Sequence, residues 1–158
     1  MGRANVASSV PPPVARPRDV SWATSVGTRN SMRSNRRADT RPELVLRSAL
    51  HRLGLRFRKD YRLKAEDLIL RPDVAFTRAR VAVFVDGCFW HRCPVHGSEP
   101  KSNAGYWLPK LDANVARDRR ADQALARIGW HVVRVWEHEP VGEAASRIHR
   151  LVLGRASD

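Results

Sequence analysis

Residues 81–96, Val-Ala-Val-Phe-Val-Asp-Gly-Cys-Phe-Trp-His-Arg-Cys-Pro-Val-His, constrain this chain more than any other stretch. Val81 to Val85 is an unbroken apolar run rich in β-branched and aromatic side chains, which reads as a strand. It runs straight into Gly87, two adjacent aromatics, and four groups able to bind metal or move protons: Cys88, His91, Cys93 and His96. Before it, Arg71-Pro72-Asp73 leads into Val74-Ala75-Phe76, and the polar Thr77-Arg78-Ala79-Arg80 turns the two strands into a pair. The pairing sets a carboxylate on one strand beside a histidine beyond the end of its neighbour. Such a layout suits a metal-dependent hydrolase.

Charge narrows the substrate. Lys and Arg outnumber Asp and Glu by 29 to 16, a formal net charge of +13 over 158 residues, with a pI near 11.3. That excess favours phosphate backbones through counterion release. A membrane surface or an arginine-rich proteome are the competing readings. Two cysteines in one loop are no disulfide framework, so reduced thiols and a cytoplasmic, nucleoid-associated location are expected. No run of about 18 apolar residues exists to span a membrane. Pro11-Pro12-Pro13 stands where a signal peptide needs its apolar stretch, so secretion is not expected.

At this length the chain makes one domain plus a tail. Residues 1–30 are rich in Pro, Ser, Ala and Arg without apolar period and read as a disordered basic extension, leaving 31–155 as the domain. The arm either clamps a nucleic-acid backbone or is a solvated tail. Thr40-Arg41-Pro42-Glu43 opens a helix with a capping box, Leu44, Leu46, Leu50 and Leu53 are its apolar positions, and Gly54 stops it. A strand is expected over 56–61, a connector over 62–71 and a long loop over 94–109. A second helix runs from Leu111 to Ile128 and ends at Gly129. A strand from Trp130 to Trp136 and a helix near 143–153 complete the chain. The order predicts an α/β domain, a mixed sheet flanked by helices.

Along the second helix, Leu111, Val115, Asp118, Asp122, Leu125 and Gly129 fall at steps of 4, 3, 4, 3 and 4 and share one face. Asp118 thus interrupts an apolar stripe and needs a partner. Either Arg117, Arg119 or a neighbouring strand pairs with it, or it accepts a hydrogen bond from a histidine, with His91 the chemically apt candidate. Asp73 is either a turn residue or a Mg²⁺ ligand. His91 can be a ligand, a base or a structural residue. Cys93-Pro-Val-His96, with His138 after the last strand, gives three candidate zinc ligands, and Cys88, Asp67 or Glu66 would complete four. Phe89-Trp90 either plugs the core or inserts between base pairs.

Several strings here resemble the very short patch repair (Vsr-type) DNA mismatch endonucleases. They are Met32-Arg33, Thr40…Glu43, Arg71-Pro72-Asp73, Phe84-Val-Asp-Gly-Cys-Phe-Trp-His91, Asn114…Arg-Asp118-Arg119-Arg120 and Gly129-Trp…Val-Trp-Glu137, spanning about Ser31 to Glu137. The resemblance implies a restriction-endonuclease-like fold, acting as a monomer on double-stranded DNA, with other repair proteins as possible partners. It implies strand nicking 5′ of the thymine in T:G mismatches left by 5-methylcytosine deamination. Asp73 would bind Mg²⁺ with the backbone carbonyl of Val85, His91 would deprotonate the attacking water, and Asp118 would orient it. Glu43 would hydrogen-bond waters on the metal, in competition with its capping role. Phe89 and Trp90 would wedge into the duplex, Met32 would enter from the other side, and Arg33, Arg119 and Arg120 fall among the DNA contacts. The carboxylate and lysine that follow the first aspartate in ordinary restriction-type nucleases are absent, which favours histidine-dependent chemistry. Asp86 stands where one branch of the family has a histidine. The competing functions are a related nuclease for a different lesion or sequence, and a non-catalytic DNA-binding module.

Overall fold

In the computed structural model, which describes residues 38–97, 100 and 103–156, the apolar run after the Thr77–Arg80 turn is the middle strand of a three-stranded sheet. In chain order the elements are α1 (Arg41–Arg52), β1 (Leu63–Ala65), β2 (Leu68–Leu70), β3 (Val74–Phe76), β4 (Val81–Asp86), α2 (Ala104–Arg127), β5 (His131–Trp136) and α3 (Val141–Ala156). Strand β4 pairs antiparallel with β3, Val74 opposite Val83 and Phe76 opposite Val81. It pairs parallel with β5, from Val81 opposite His131 to Asp86 opposite Trp136. The sheet is mixed, as the sequence predicts. The expected extension 1–30, and with it Met32 and Arg33, lies outside the described residues.

Alternation along β4 sorts the two faces. Val81 and Val83 join Val133 and Val135 of β5 in the larger core, closed by Leu46 and Leu50 of α1 and by Ala144, Ile148 and Val152 of α3. Ala82 and Phe84 point the other way, into a smaller cluster with Ala124 and Leu125 of α2. Asp86, two residues on, continues that second face. Both glycine stops hold. Gly54 and Gly129 take φ of +79° and +80°, and each ends its helix with the paired 6→1 and 5→2 bonds of a Schellman turn, such as Trp130 N–H to the Leu125 carbonyl at 2.9 Å.

Four expectations need correction. The segment 56–61 forms a single bridge, Arg58 to Ala75, rather than a strand, because Asp60 turns the chain with φ +50°. The connector 62–71 contains a two-stranded hairpin, β1–β2, with Ala65 opposite Leu68. Its apolar side chains, Leu63, Ala65, Leu68 and Leu70, pack into the smaller core. The helix α2 starts at Ala104 instead of Leu111 and carries Pro109 within it. Its first turns are held by Trp107, whose ring lies 6.0 Å from Phe89 and 5.8 Å from Trp90, and this packing offsets the hydrogen bond the proline removes.

The fourth correction concerns α1. Its buried face is Glu43, Leu46, Arg47, Ala49 and Leu50, while Leu44 and Leu53 face solvent. The Thr40 hydroxyl does not cap the backbone. It donates to Glu43 Oε1 at 2.8 Å, and Glu43 Oε2 accepts the Asp39 N–H at 2.8 Å. Glu43 therefore still ties down the helix start, but from one residue further out than a capping box requires. Among the described residues no helix is long and apolar enough to cross a membrane.

Candidate active site

The antiparallel β3–β4 pair brings the start of one strand beside the end of the other, so Asp73 lies at the exit of β4. Asp73 Oδ2 accepts the Val85 N–H at 2.7 Å. Burial pushes its carboxyl up to about 6, the Val85 bond and Arg47 oppose that, and the negative charges of Glu43 and Asp86 add to it. A half-buried carboxylate crowded by two others suits a cation.

Beyond Gly87 the chain turns tightly, with the His91 N–H on the Gly87 carbonyl at 3.1 Å and the Cys88 N–H on Glu137 Oε1 at 2.8 Å. This turn aims His91 at α2, where Nδ1 meets Asp118 Oδ2 at 2.5 Å. Burial raises the Asp118 carboxyl, but the His91 bond and Arg134 outweigh it and hold the group below the ordinary range. Burial likewise lowers His91, and the Asp118 bond with the charges of Asp86 and Asp118 turn the balance upward. An ionised Asp118 can only accept, so Nδ1 carries the proton and Nε2 is left as the basic nitrogen. Both readings of Asp118 hold at once, because Arg134 Nη2 on β5 also lies 3.7 Å from its Oδ1. Arg117 stands further off at 3.9 Å, and Arg119 has no bond to it.

The three residues 73, 91 and 118 share one rim. Asp86 links them: it raises Asp73 electrostatically, and its Oδ1 is 3.7 Å from His91 Nδ1. A cleft of about 320 Å³ reaches this rim at Val85 and runs past Arg41, Leu46, Trp136 and Glu137, without Asp73, His91 or Asp118 in its lining.

Cys88, Cys93, His96 and His138 form the second cluster, with one ligand atom from each all within 4.8 Å of one another. Cys88 Sγ is 3.0 Å from His138 Nδ1, and Cys93 Sγ 3.7 Å from the same nitrogen. Burial, with Cys93 and Glu137 nearby, pushes the Cys88 thiol up to about 11. Burial also raises Cys93, but backbone N–H groups of the turn override it and lower its pKa. Two thiols and two imidazoles in this spacing match a four-ligand zinc set. The fourth member is Cys88. Asp67 and Glu66 are excluded, because they cap the β1–β2 hairpin and pair with Arg120 and Arg127.

Phe89 and Trp90 fill neither core. They stand half-buried, rings 5.2 Å apart, in a separate aromatic group with Trp107. Arg119 is exposed on α2, and Arg120 is tied to Asp67 at 2.6 Å. One residue of the site escaped the sequence reading altogether. Arg134 reaches from β5 to Asp86, Asp122 and Asp118. Its signal was available: an arginine inside Val132-Val133-Arg134-Val135-Trp136, a strand apolar on both faces, must find carboxylates.

A basic α/β domain with an acid at a strand start and a histidine–aspartate pair beyond the end of the neighbouring strand has the equipment of a nuclease. Comparison with known proteins agrees. The sequence profile described as DNA mismatch endonuclease Vsr matches residues 24–96. The type II nicking enzyme V.NaeI of Lentzea aerocolonigenes is 50% identical over 125 residues, 78% of this chain and 75% of the relative. The type II nicking enzyme V.XorIIP of Xanthomonas oryzae pv. oryzae is 43% identical over 125 residues, 77% of this chain and 88% of the relative. The DNA mismatch endonuclease Vsr of Escherichia coli (strain K12) is 37% identical over 108 residues, 68% and 67% respectively. This chain belongs to the Vsr family of DNA mismatch endonucleases. It is a DNA-nicking endonuclease, and its mixed sheet between helices is the restriction-endonuclease-like architecture expected from the sequence.

Proposed function

We propose that the protein nicks double-stranded DNA 5′ of the thymine in a T:G mismatch, in Mg²⁺, as a monomer with a structural zinc. The observation that carries this reading is the His91–Asp118 bond of 2.5 Å at the rim where Asp73 lies. His91 takes the proton of the attacking water on Nε2 as the water oxygen bonds to phosphorus and the bond to the leaving sugar oxygen breaks. Asp118 keeps the other ring proton in place and stabilises the imidazolium that forms. Asp73, with the Val85 carbonyl, would hold Mg²⁺, and Glu43 stands close behind. The ion supplies positive charge at the scissile phosphate. Half-burial, a carboxyl pushed up to about 6 by burial and by the negative charges of Glu43 and Asp86, and an all-oxygen donor set fit that role.

Phe89 and Trp90, half-buried beside Trp107, are the wedge that opens the stack at the mismatch. Arg119 and Arg120, with Met32 and Arg33 from the basic arm, contact the DNA. Cys88, Cys93, His96 and His138 hold zinc and so fix the turn that carries His91. The test is nicking of a duplex with one T:G pair against a T:A control in Mg²⁺, with a panel of other mismatches alongside. Selective cutting at T:G is expected. Equal cutting of both duplexes removes the mismatch claim, and preference for another lesion reassigns the target.

A further inference from the structure

Among the described residues the largest network of ion pairs lies behind His91. Asp86, Asp118 and Asp122 converge there on one guanidinium. Arg134 Nη1 meets both oxygens of Asp86 at 2.9 Å. Its Nε and Nη2 hold Asp122 at 2.9–3.2 Å, and Nη2 also reaches the Asp118 backbone carbonyl at 3.4 Å. The guanidinium lies over the Phe84 ring, its carbon 5.1 Å from the centroid. Asp86 is only 3% exposed. Its oxygens point at the same His91 nitrogen that Asp118 uses, at 3.7 Å against 2.5 Å.

A single Nδ1 proton can satisfy only one of two carboxylates. If Asp86 were free, it would compete for that proton and rotate the ring away from the rim. We infer that Arg134 is a positioning residue for the nicking reaction: by taking both oxygens of Asp86 it leaves Asp118 as the sole partner of His91 and fixes the direction of Nε2. The inference rests on the reading of His91 as the base. Geometry supports it twice over, since the same guanidinium also grips the α2 backbone at Asp118 and so sets the height of that carboxylate against the turn. Holding Asp86 through Nη1 and Asp122 through Nε and Nη2 at the same time needs the planar fork of arginine.

The test is single-turnover nicking by the full chain with Arg134→Met, Asp86→Asn, the double variant and His91→Ala. Arg134→Met should lower kcat about 10- to 100-fold with KM for DNA little changed, because the guanidinium is engaged by Asp86 and Asp122. Adding Asp86→Asn should restore most of that rate, since the competitor has gone. Arg134→Lys, which keeps a cation but loses the fork, gives the same reading should Arg134→Met not fold. Failure of Asp86→Asn to rescue either variant, a normal kcat, or a defect confined to KM would each overturn the positioning role. His91→Ala separates the two claims: normal nicking there removes the base itself, whereas a dead His91→Ala beside an unimpaired Arg134→Met removes only the role of Arg134.

Discussion

The two faces of β4 are built from different materials. The face toward α1 and α3 is almost wholly apolar, Val81 and Val83 against Leu46, Leu50, Ile148 and Val152. The face toward α2 begins the same way, with Ala82 and Leu125, but four residues on it turns ionic, at Asp86, Arg134, Asp118 and Asp122. Apolar packing is non-directional and tolerates small shifts. Buried ion pairs demand exact partners and give back little net stability. The first face holds the domain together, and the second holds the His91–Asp118 pair, the proposed proton acceptor and its partner, in one orientation.

That contrast can be broken from either side. The largest effect is expected on the ionic face: His91→Ala should slow single-turnover nicking by about 10² to 10⁴ while thermal stability and DNA affinity stay near those of the parent. Normal nicking would sink the assignment of the base. On the apolar face, Ile148→Ala empties a fully buried site and should cost about 2–5 kcal/mol by denaturant titration. The folded fraction should keep its rate. A variant that loses rate without losing stability would erase the distinction between the faces.

Cys93→Ser tests the turn between them. It should lose stoichiometric zinc by metal analysis, lower the melting temperature, and reduce nicking more than binding. Full zinc content in that variant would show that the cluster does not act as a four-ligand set. Asp73→Asn sharpens the comparison further, because it should abolish nicking and yet stabilise the metal-free protein. The amide still accepts the Val85 N–H, and a carboxyl raised to about 6 by burial beside Glu43 and Asp86 is removed. The gain should be about 1 kcal/mol, below what the shift alone implies because the group is partly open to water. A loss of stability would mean that the acid is satisfied in some other way. The smallest effect is expected at the surface, where Arg120→Ala breaks an exposed pair with Asp67 and should cost under about 1 kcal/mol.

Much of this arrangement was written in local pattern. The steps of 4 and 3 along α2 put Asp118 on the inward face, and the glycine after β4 placed His91 where it could meet it. The paired strands on either side of Thr77–Arg80 followed from alternation and a polar turn. What local pattern did not carry was made by distant partners. Glu66-Asp67 is no recognised hairpin signal, so β1–β2 is held by its packing under α2 instead. Pro109 reads as a breaker, and only the Trp107 contacts keep its helix running. Cys88 joins the metal cluster because parallel pairing delivers the ends of β4 and β5, and hence His138, to the same place.

The turn from Gly87 to Gly97 carries the proposed general base, both proposed wedge aromatics and three of the four members of the Cys/His cluster within eleven consecutive positions. Such a segment cannot lengthen gradually. One inserted residue would displace all of these groups together, whereas the Glu66–Asp67 tip carries none of them. Engineering that seeks new target preferences should therefore leave this turn intact and add length at that tip.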